Sequence, residues 1–219
     1  MRKLALVILL LPPAAGCGSG RTPAAATNVV THAGGPGTPA GFSIRSVPDQ
    51  GFSVALPKGW RSIDSREALR AAGTEFAKEN PRVAGELQVL QRPNSPMKFL
   101  AVDPHLHDAF ATNLNVLAAR IPSALSYSTW TQAQITDIQR VRPKGLRQET
   151  LQLPAGQTFH LTYRATFRTG TRMLTASINQ FMVKRGAILY VLTYTTTPSA
   201  QRLYARIFDE SARSFRLSG

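Results

Sequence analysis

The last third of the chain alternates apolar and polar residues over four consecutive stretches that are separated by tight-turn signals. Such alternation places successive side chains on opposite faces of a β-strand, and short connections make neighbouring strands antiparallel. The pattern predicts strands at residues 146–153, 157–168, 171–184 and 187–196, with turns at Pro154-Ala155-Gly156, Thr169-Gly170 and Arg185-Gly186. The domain is therefore expected to contain an antiparallel meander.

The residues before the meander mix further strand patterns with amphipathic helix patterns. Strands are predicted near residues 42–47, 52–56, 97–103 and 110–119. Helices are predicted at residues 64–80, from Pro81, from a cap at Ser128 or Thr129, and after Pro198. The last helix is expected to face the core with Leu203, Ile207 and Phe208. A meander flanked by separate helices predicts the α+β class.

The first 17 residues have the parts of a bacterial export signal. Arg2 and Lys3 are basic, residues 4–11 form an unbroken apolar run, and Ala14-Ala15-Gly16 leads into Cys17. Eight apolar residues make a helix of about 12 Å, which cannot cross a hydrocarbon core of about 30 Å. Residues 1–16 are therefore expected to be a cleaved signal peptide and not a transmembrane helix.

Small residues directly before a cysteine resemble a bacterial lipobox, in which the cysteine is acylated and becomes the first residue of the mature chain. Cys17 is the only cysteine in the sequence, so lipidation would account for a thiol that has no disulfide partner in the chain. A diacylglyceryl group, with acyl chains such as palmitate, supplies the two chains that stable anchoring needs. The other interpretation is an ordinary signal peptide, cut nearby, that leaves Cys17 as a free thiol.

Residues 17–40 are dense in Gly, Pro, Ala and Thr and lack a periodic apolar face, which is typical of a flexible linker. Such a linker would hold a globular domain, residues 41–219, on the order of 25 Å from the bilayer. The protein is therefore expected to be exported and lipid-anchored to the outer face of the bacterial cytoplasmic membrane.

Several short motifs of the globular domain carry a family resemblance. They are Gly51-Phe-Ser-Val-Ala-Leu-Pro-Lys-Gly-Trp60, Phe110-Ala-Thr-Asn-Leu-Asn-Val116, Leu153-Pro-Ala-Gly156 and Ser214-Phe215-Arg216. Together they resemble the PsbP-like superfamily, and with the lipobox and linker the chain resembles the LpqN-type lipoproteins of actinobacteria. The resemblance implies an α/β/α sandwich around a central antiparallel sheet, used for binding and not for catalysis.

The chain has 26 Lys and Arg against 12 Asp and Glu, a formal net charge of +14, and Glu149 is the only acidic residue in residues 139–208. Strand periodicity puts His160, Arg164 and Arg168 on one face, with Arg172 just across a turn. These four residues predict an anionic-ligand face, since guanidinium groups bind phosphate or carboxylate through paired hydrogen bonds. The many arginines fit the codon bias of a GC-rich genome equally well, and His160 is interpreted as a solvated surface residue.

Motifs that carry catalytic chemistry are scarce. The sequence has no Gly-x-Ser-x-Gly elbow, Walker-type loop, dinucleotide fingerprint or His-Glu-x-x-His pair. The best metal candidate is residues 103–108, where Asp103, His105, His107 and Asp108 supply two imidazoles and two carboxylates. An inter-strand loop with polar tips explains the same residues without a metal. No metal, catalytic residue or cofactor is therefore assigned.

These observations predict a non-catalytic, membrane-anchored lipoprotein of the bacterial cell envelope that binds an envelope ligand or a partner protein. An anionic lipid, a wall polymer and an envelope protein are the candidate partners, and nucleic acid is not expected in vivo because the chain is exported. The alternative is an envelope hydrolase or metal-dependent enzyme that uses residues 103–108. The sequence leaves the oligomeric state open.

Overall fold

A computed structural model of the protein describes residues 30–32, 37–63, 96–108, 110–169 and 172–218. The elements in chain order are β1 (Val30–His32), β2 (Phe42–Val47), a 3-10 turn (Pro48–Gln50), β3 (Phe52–Pro57), β4 (Arg61–Ile63), β5 (Met97–His107), β6 (Phe110–Arg120), α1 (Tyr127–Gln139), β7 (Lys144–Leu153), β8 (Gly156–Thr169), β9 (Arg172–Arg185), β10 (Ile188–Thr196), α2 (Gln201–Ser214) and β11 (Arg216–Leu217). The predicted export signal, Cys17 and the helices predicted at residues 64–80 and from Pro81 lie outside the described residues.

Two antiparallel sheets form the described part of the chain. The larger sheet has seven strands in the order β4-β5-β6-β10-β9-β8-β7, and the smaller has four in the order β1-β2-β3-β11. Strands β7 to β10 pair consecutively, which confirms the meander predicted from the alternating pattern. The α+β class is also confirmed.

The first core lies between the large sheet and a layer made of α2 and the small sheet. Phe52, Val54 and Leu56 alternate along β3 and are buried, because one face of this strand packs against the large sheet. Phe99 and Tyr194 contribute from the large sheet. Burial of a side chain of this size stabilises the fold by about 1.5–3 kcal/mol.

The second core lies on the opposite face of the large sheet, beneath α1. Trp130 and Ile138, two turns apart on the helix, are buried against the strands. Ser126 caps the helix, because its side-chain oxygen accepts a hydrogen bond from the Thr129 backbone N–H at 3.2 Å. The predicted cap at Ser128 or Thr129 is therefore wrong by two or three residues. The helices on the two faces make an α/β/α arrangement.

The apolar side of α2 differs from the sequence prediction. Leu203 is 60% exposed, whereas Tyr204, Phe208 and Ala212 are buried. Spacings of four residues keep these three side chains on one face of the helix. Of the three predicted core residues, Phe208 is buried and Ile207 packs partly against the first core, so only Leu203 is wrong. The buried position next to Leu203 is Tyr204, which was not counted among the core residues because of its hydroxyl.

Two segments that were not predicted as strand form strand in the structure. Strand β5 continues through His107, so the interpretation of residues 103–108 as a loop is wrong for all but its last residue, Asp108, where φ is +53°. Strand β1 lies within residues 17–40 and pairs with β2, which adds a fourth strand to the small sheet from the segment predicted as linker.

Candidate functional site

Strands β8 and β9 are longer than the strands beside them. β7 pairs with β8 only as far as Arg164, and β10 pairs with β9 only as far as Ser177. The next five residue pairs join β8 to β9 and have no neighbouring strand in the described part of the chain. At about 3.4 Å per residue they extend roughly 17 Å past their neighbours. Residues 165–169 and 172–176 are called the β-ribbon below.

One face of the β-ribbon is open to solvent. Arg168 and Met173 are cross-strand partners, and both are exposed, with Met173 at 63%. Beside them, the exposed hydroxyls of Thr166 and Thr175 lie 3.0 Å apart and tie the two strands together. Phe167, on the other face, packs partly against the second core. The ribbon is thus anchored on one side and free on the other.

The predicted arginines lie on or next to this ribbon. Arg164 is exposed at its base, where Nη2 donates a hydrogen bond to Oε1 of Gln201 on α2 at 3.3 Å. Arg168 follows four residues along β8, and Arg172 pairs in register with Thr169 at the tip. No ion pair joins Arg164 or Arg168 to a carboxylate among the described residues. Their positive charge is therefore available to an anion from outside.

His160 does not lie with these arginines. It is eight residues from Arg168 on the same strand, about 27 Å away. Its Nδ1 lies 2.8 Å from Oε1 of Glu149, and its ring stacks on Phe181 with centroids 4.1 Å apart. The side chain is 13% exposed, so the interpretation of His160 as a solvated residue is wrong. The carboxylate partner and the aromatic ring hold His160 as part of the sheet's packing.

The residues predicted as a metal candidate form a different kind of cluster. Oδ2 of Asp103 accepts a hydrogen bond from the Tyr204 hydroxyl on α2, and Oδ1 accepts one from the His105 backbone N–H at 2.9 Å. The same Oδ1 lies 2.9 Å from Nδ1 of His105. The ring of His107 meets the Tyr204 ring edge-on, with centroids 5.5 Å apart. Asp103 therefore joins β5 to α2.

The electrostatics of this cluster follow from its hydrogen bonds. Burial raises the pKa of Asp103, but the hydrogen bonds from Tyr204 and His105 outweigh burial, so the pKa lies below its usual value. Burial, and then the hydrogen bond to the Asp103 carboxylate, raise the pKa of the Tyr204 hydroxyl. Asp103 is accordingly ionised and Tyr204 neutral at pH 7.

The geometry does not assemble a multi-ligand metal centre from the described residues. No three His, Cys, Asp or Glu side chains among them group closely enough to hold a metal ion. His105 is 83% exposed in its side chain, and Asp108 accepts a hydrogen bond from the Ser199 hydroxyl. The cluster orients one exposed imidazole and otherwise connects strand to helix.

A row of buried polar side chains was not recognised from the sequence. Asn115, Thr193, Thr195 and Gln180 are all buried on the α1 side of the large sheet. Gln180 donates to the Thr193 hydroxyl at 3.1 Å, but Asn115 and the Thr195 hydroxyl find no hydrogen-bond partner among the described residues. The alternation of polar and apolar residues on β6 and β10 was a signal for strands, and it normally indicates a solvent-facing side.

The described helices also bear on the membrane question. Within the ranges described, neither helix is long and apolar enough to span a bilayer.

The two sheets and the helices on either face of the large sheet define the class of fold, an α+β sandwich. Among solved structures, the solution structure of cyanobacterial PsbP (CyanoP) from Synechocystis sp. PCC 6803 is similar with a TM-score of 0.51 and 15% sequence identity, covering 94% of this chain and 99% of that one. This likeness confirms the fold that the sequence motifs predict.

Two further solved structures are more distant. LpqN of Mycobacterium tuberculosis, described as involved in cell envelope biogenesis, has a TM-score of 0.47 and 7% identity, over 77% of this chain and 83% of that one. The Saccharomyces cerevisiae Ran-binding protein Mog1p has a TM-score of 0.47 and 9% identity, over 80% and 95%. No protein-family model and no curated protein matches the sequence.

Proposed function

We propose that the protein is a non-catalytic lipoprotein of the bacterial cell envelope, attached to the outer face of the cytoplasmic membrane through a diacylglyceryl group on Cys17. The observation that carries the proposal is the order of the first 17 residues: two basic residues, an eight-residue apolar run and small residues directly before the chain's only cysteine. Two acyl chains give stable anchoring, whereas one gives marginal binding.

The role of the globular domain is to bind an anionic component of the envelope. Its support is the exposed face that holds Arg164 and Arg168 without a described carboxylate partner, next to Arg172 at the ribbon tip. Tethering raises the local concentration of such a domain near envelope ligands, so a weak site can be occupied. Fold alone does not identify a ligand, since one fold supports many functions.

Metabolic labelling with an alkyne analogue of palmitate in a bacterial host that processes lipoproteins tests the anchor. The full chain is expected to take up label and to sediment with membranes. Cys17→Ala is expected to lose the label, while Ser19→Ala, two residues away, is expected to take it up as the parent does. An unlabelled parent protein, or a Cys17→Ala variant that is labelled as strongly as the parent, would contradict the anchor.

The alternative, an enzyme that uses residues 103–108, has one observation in its favour: the Asp103 carboxylate orients the exposed His105 ring. In metal sites, a carboxylate often holds one histidine nitrogen while the other binds the metal. If His105 and His107 bound Zn²⁺ in this way, the ion would raise the melting temperature of the parent protein but not of His105→Ala. An unchanged melting temperature in the parent would remove this alternative.

A further inference from the structure

We propose that the β-ribbon docks on the surface of an anionic lipid bilayer, with Arg168 among the headgroup phosphates, Arg164 near them at the base of the ribbon, and Met173 at the boundary with the acyl chains. This inference rests on the proposed function, because the anchor at Cys17 is what would bring the domain to a membrane.

The hairpin formed by β8 and β9 is strongly basic. The hairpin of residues 156–185 contains five Lys and Arg and no Asp or Glu. Arg168 lies within the ribbon, Arg164 lies at its base on the same face of β8, and Arg172 follows the turn at its tip. Basic residues close to an anionic bilayer each strengthen binding by about fivefold. Two of them, Arg164 and Arg168, on one exposed face give a substantial attraction to lipid phosphates.

An exposed apolar side chain lies beside the arginines of the ribbon. Met173 is 63% exposed and is the cross-strand partner of Arg168, so an apolar side chain and a cation stand side by side. A surface that carries arginines beside an unbranched apolar side chain matches the region where headgroups meet acyl chains.

The chain between Cys17 and β1 is short enough to keep the domain near the bilayer. Twelve residues separate Cys17 from β1, and a chain of that length spans at most about 43 Å. The ribbon extends roughly 17 Å past its neighbouring strands. A domain tethered by such a segment stays close enough for a projecting ribbon to meet the bilayer that holds its anchor.

The ribbon also has strand edges that could add an extended peptide, because residues 165–169 and 172–176 pair only with each other in the described chain. A peptide strand would be held by backbone hydrogen bonds and would not need the two arginines or Met173. The charge and the exposed methionine favour the bilayer, and the experiment below separates the two.

The test measures binding of the full chain with Cys17→Ser to vesicles of phosphatidylglycerol and phosphatidylcholine at low salt. Arg164→Gln with Arg168→Gln, two exposed arginines on the same face of β8, is expected to weaken binding about 30-fold. The matched control is Arg120→Gln with Arg185→Gln, which removes the same charge at the opposite end of the sheet, where both residues flank Ile188. This control is expected to change binding less than about threefold. Circular dichroism of each variant verifies the fold.

Three results would overturn the proposal. Equal losses of binding in the two double variants would mean attraction by net charge alone. Binding of the Cys17→Ser parent to anionic vesicles that is no stronger than its binding to pure phosphatidylcholine would rule out an attraction to anionic lipid. A Met173→Ser variant that binds as tightly as the parent would contradict contact with the acyl boundary. Met173→Ser is expected to bind about fivefold more weakly. Because these chains carry no lipid at residue 17, their result is independent of the palmitate labelling that tests the anchor.

Discussion

Two polar regions of the described chain, the Asp103–Tyr204 cluster and the β-ribbon, use their polar groups in opposite ways. In the cluster, the carboxylate of Asp103 receives hydrogen bonds from Tyr204 and His105, and the side chain is 11% exposed. In the ribbon, Arg168 is exposed and has no described carboxylate partner. Groups that already satisfy one another hold a fold together, whereas groups left open to solvent can serve a ligand.

In the sequence, histidines and carboxylates are the first candidates for a functional site, but in the fold the arginines of the β-ribbon are the groups left open to a ligand. Residues 103–108 are rich in the side chains of metal sites, yet Asp103 is used to join β5 to α2. The ribbon has no such motif, only arginines at strand positions and a methionine. Residue type alone therefore indicates chemistry less well than the partners a side chain has in the fold.

The largest effect on stability is expected at the buried carboxylate. Asp103→Ala should lower the free energy of unfolding by about 3 kcal/mol, because it leaves the Tyr204 hydroxyl and the His105 N–H without their acceptor. Asp209→Ala on the same helix as Tyr204, which removes an exposed pair with Arg213, should cost less than about 1 kcal/mol. Urea unfolding measures both, and equal losses would contradict a structural role for Asp103.

The pH dependence of the free energy of unfolding should also reflect the structural role of the Asp103 carboxylate. The pKa of Asp103 is lowered in the folded protein, so its ionisation stabilises the fold above the unfolded-state pKa of about 3.9 and this contribution is lost as pH falls through the lower folded-state pKa. The stability difference between the parent and Asp103→Asn should therefore shrink as the pH falls below about 4. A difference that grows over that acidic range would contradict this sign.

A smaller change of opposite sign is expected at the buried polar row. Asn115→Leu should raise the free energy of unfolding by about 1 kcal/mol, because an amide without a described partner is costly to bury. Thr195→Val, which removes another such hydroxyl at nearly constant volume, should act in the same direction. Losses greater than about 1 kcal/mol in both variants would mean that these groups have partners such as bound water.

The smallest effect on stability is expected at the base of the ribbon. Arg164→Gln should change the free energy of unfolding by less than about 0.5 kcal/mol, because its side chain is exposed and its described hydrogen bond is to neutral Gln201. Its binding to phosphatidylglycerol vesicles should fall about fivefold. A large loss of stability with unchanged vesicle binding would place Arg164 with the structural cluster.

Much of the fold was predictable because strand alternation and turn residues are local signals. The strands predicted at residues 157–168 and 171–184 differ from β8 and β9 by a residue or so at each end. Leu203 was predicted to face the core and is exposed, and the burial of Tyr204 was not predicted, since the acceptor for its hydroxyl, Asp103, is about a hundred residues away in sequence.

The candidate site was only partly predictable, because it depends on contacts between residues that are far apart in the sequence. Periodicity correctly placed Arg164 and Arg168 on the exposed polar side of β8. It could not show that β7 and β10 stop short and leave a projecting ribbon, because strand register depends on pairing between distant residues. The same limit hid the contact of His160 with Glu149 and Phe181.

The most direct measurement of the central claim is the emission of an environment-sensitive dye on a single cysteine. In the Cys17→Ser chain, Met173→Cys creates the only thiol at the ribbon, and Arg120→Cys creates one at the opposite end of the sheet. Addition of phosphatidylglycerol vesicles should shift the emission of the dye at residue 173 to the blue and leave the dye at residue 120 unchanged. Equal shifts at both positions, or no shift at residue 173 in a protein that binds the vesicles, would contradict docking through the ribbon.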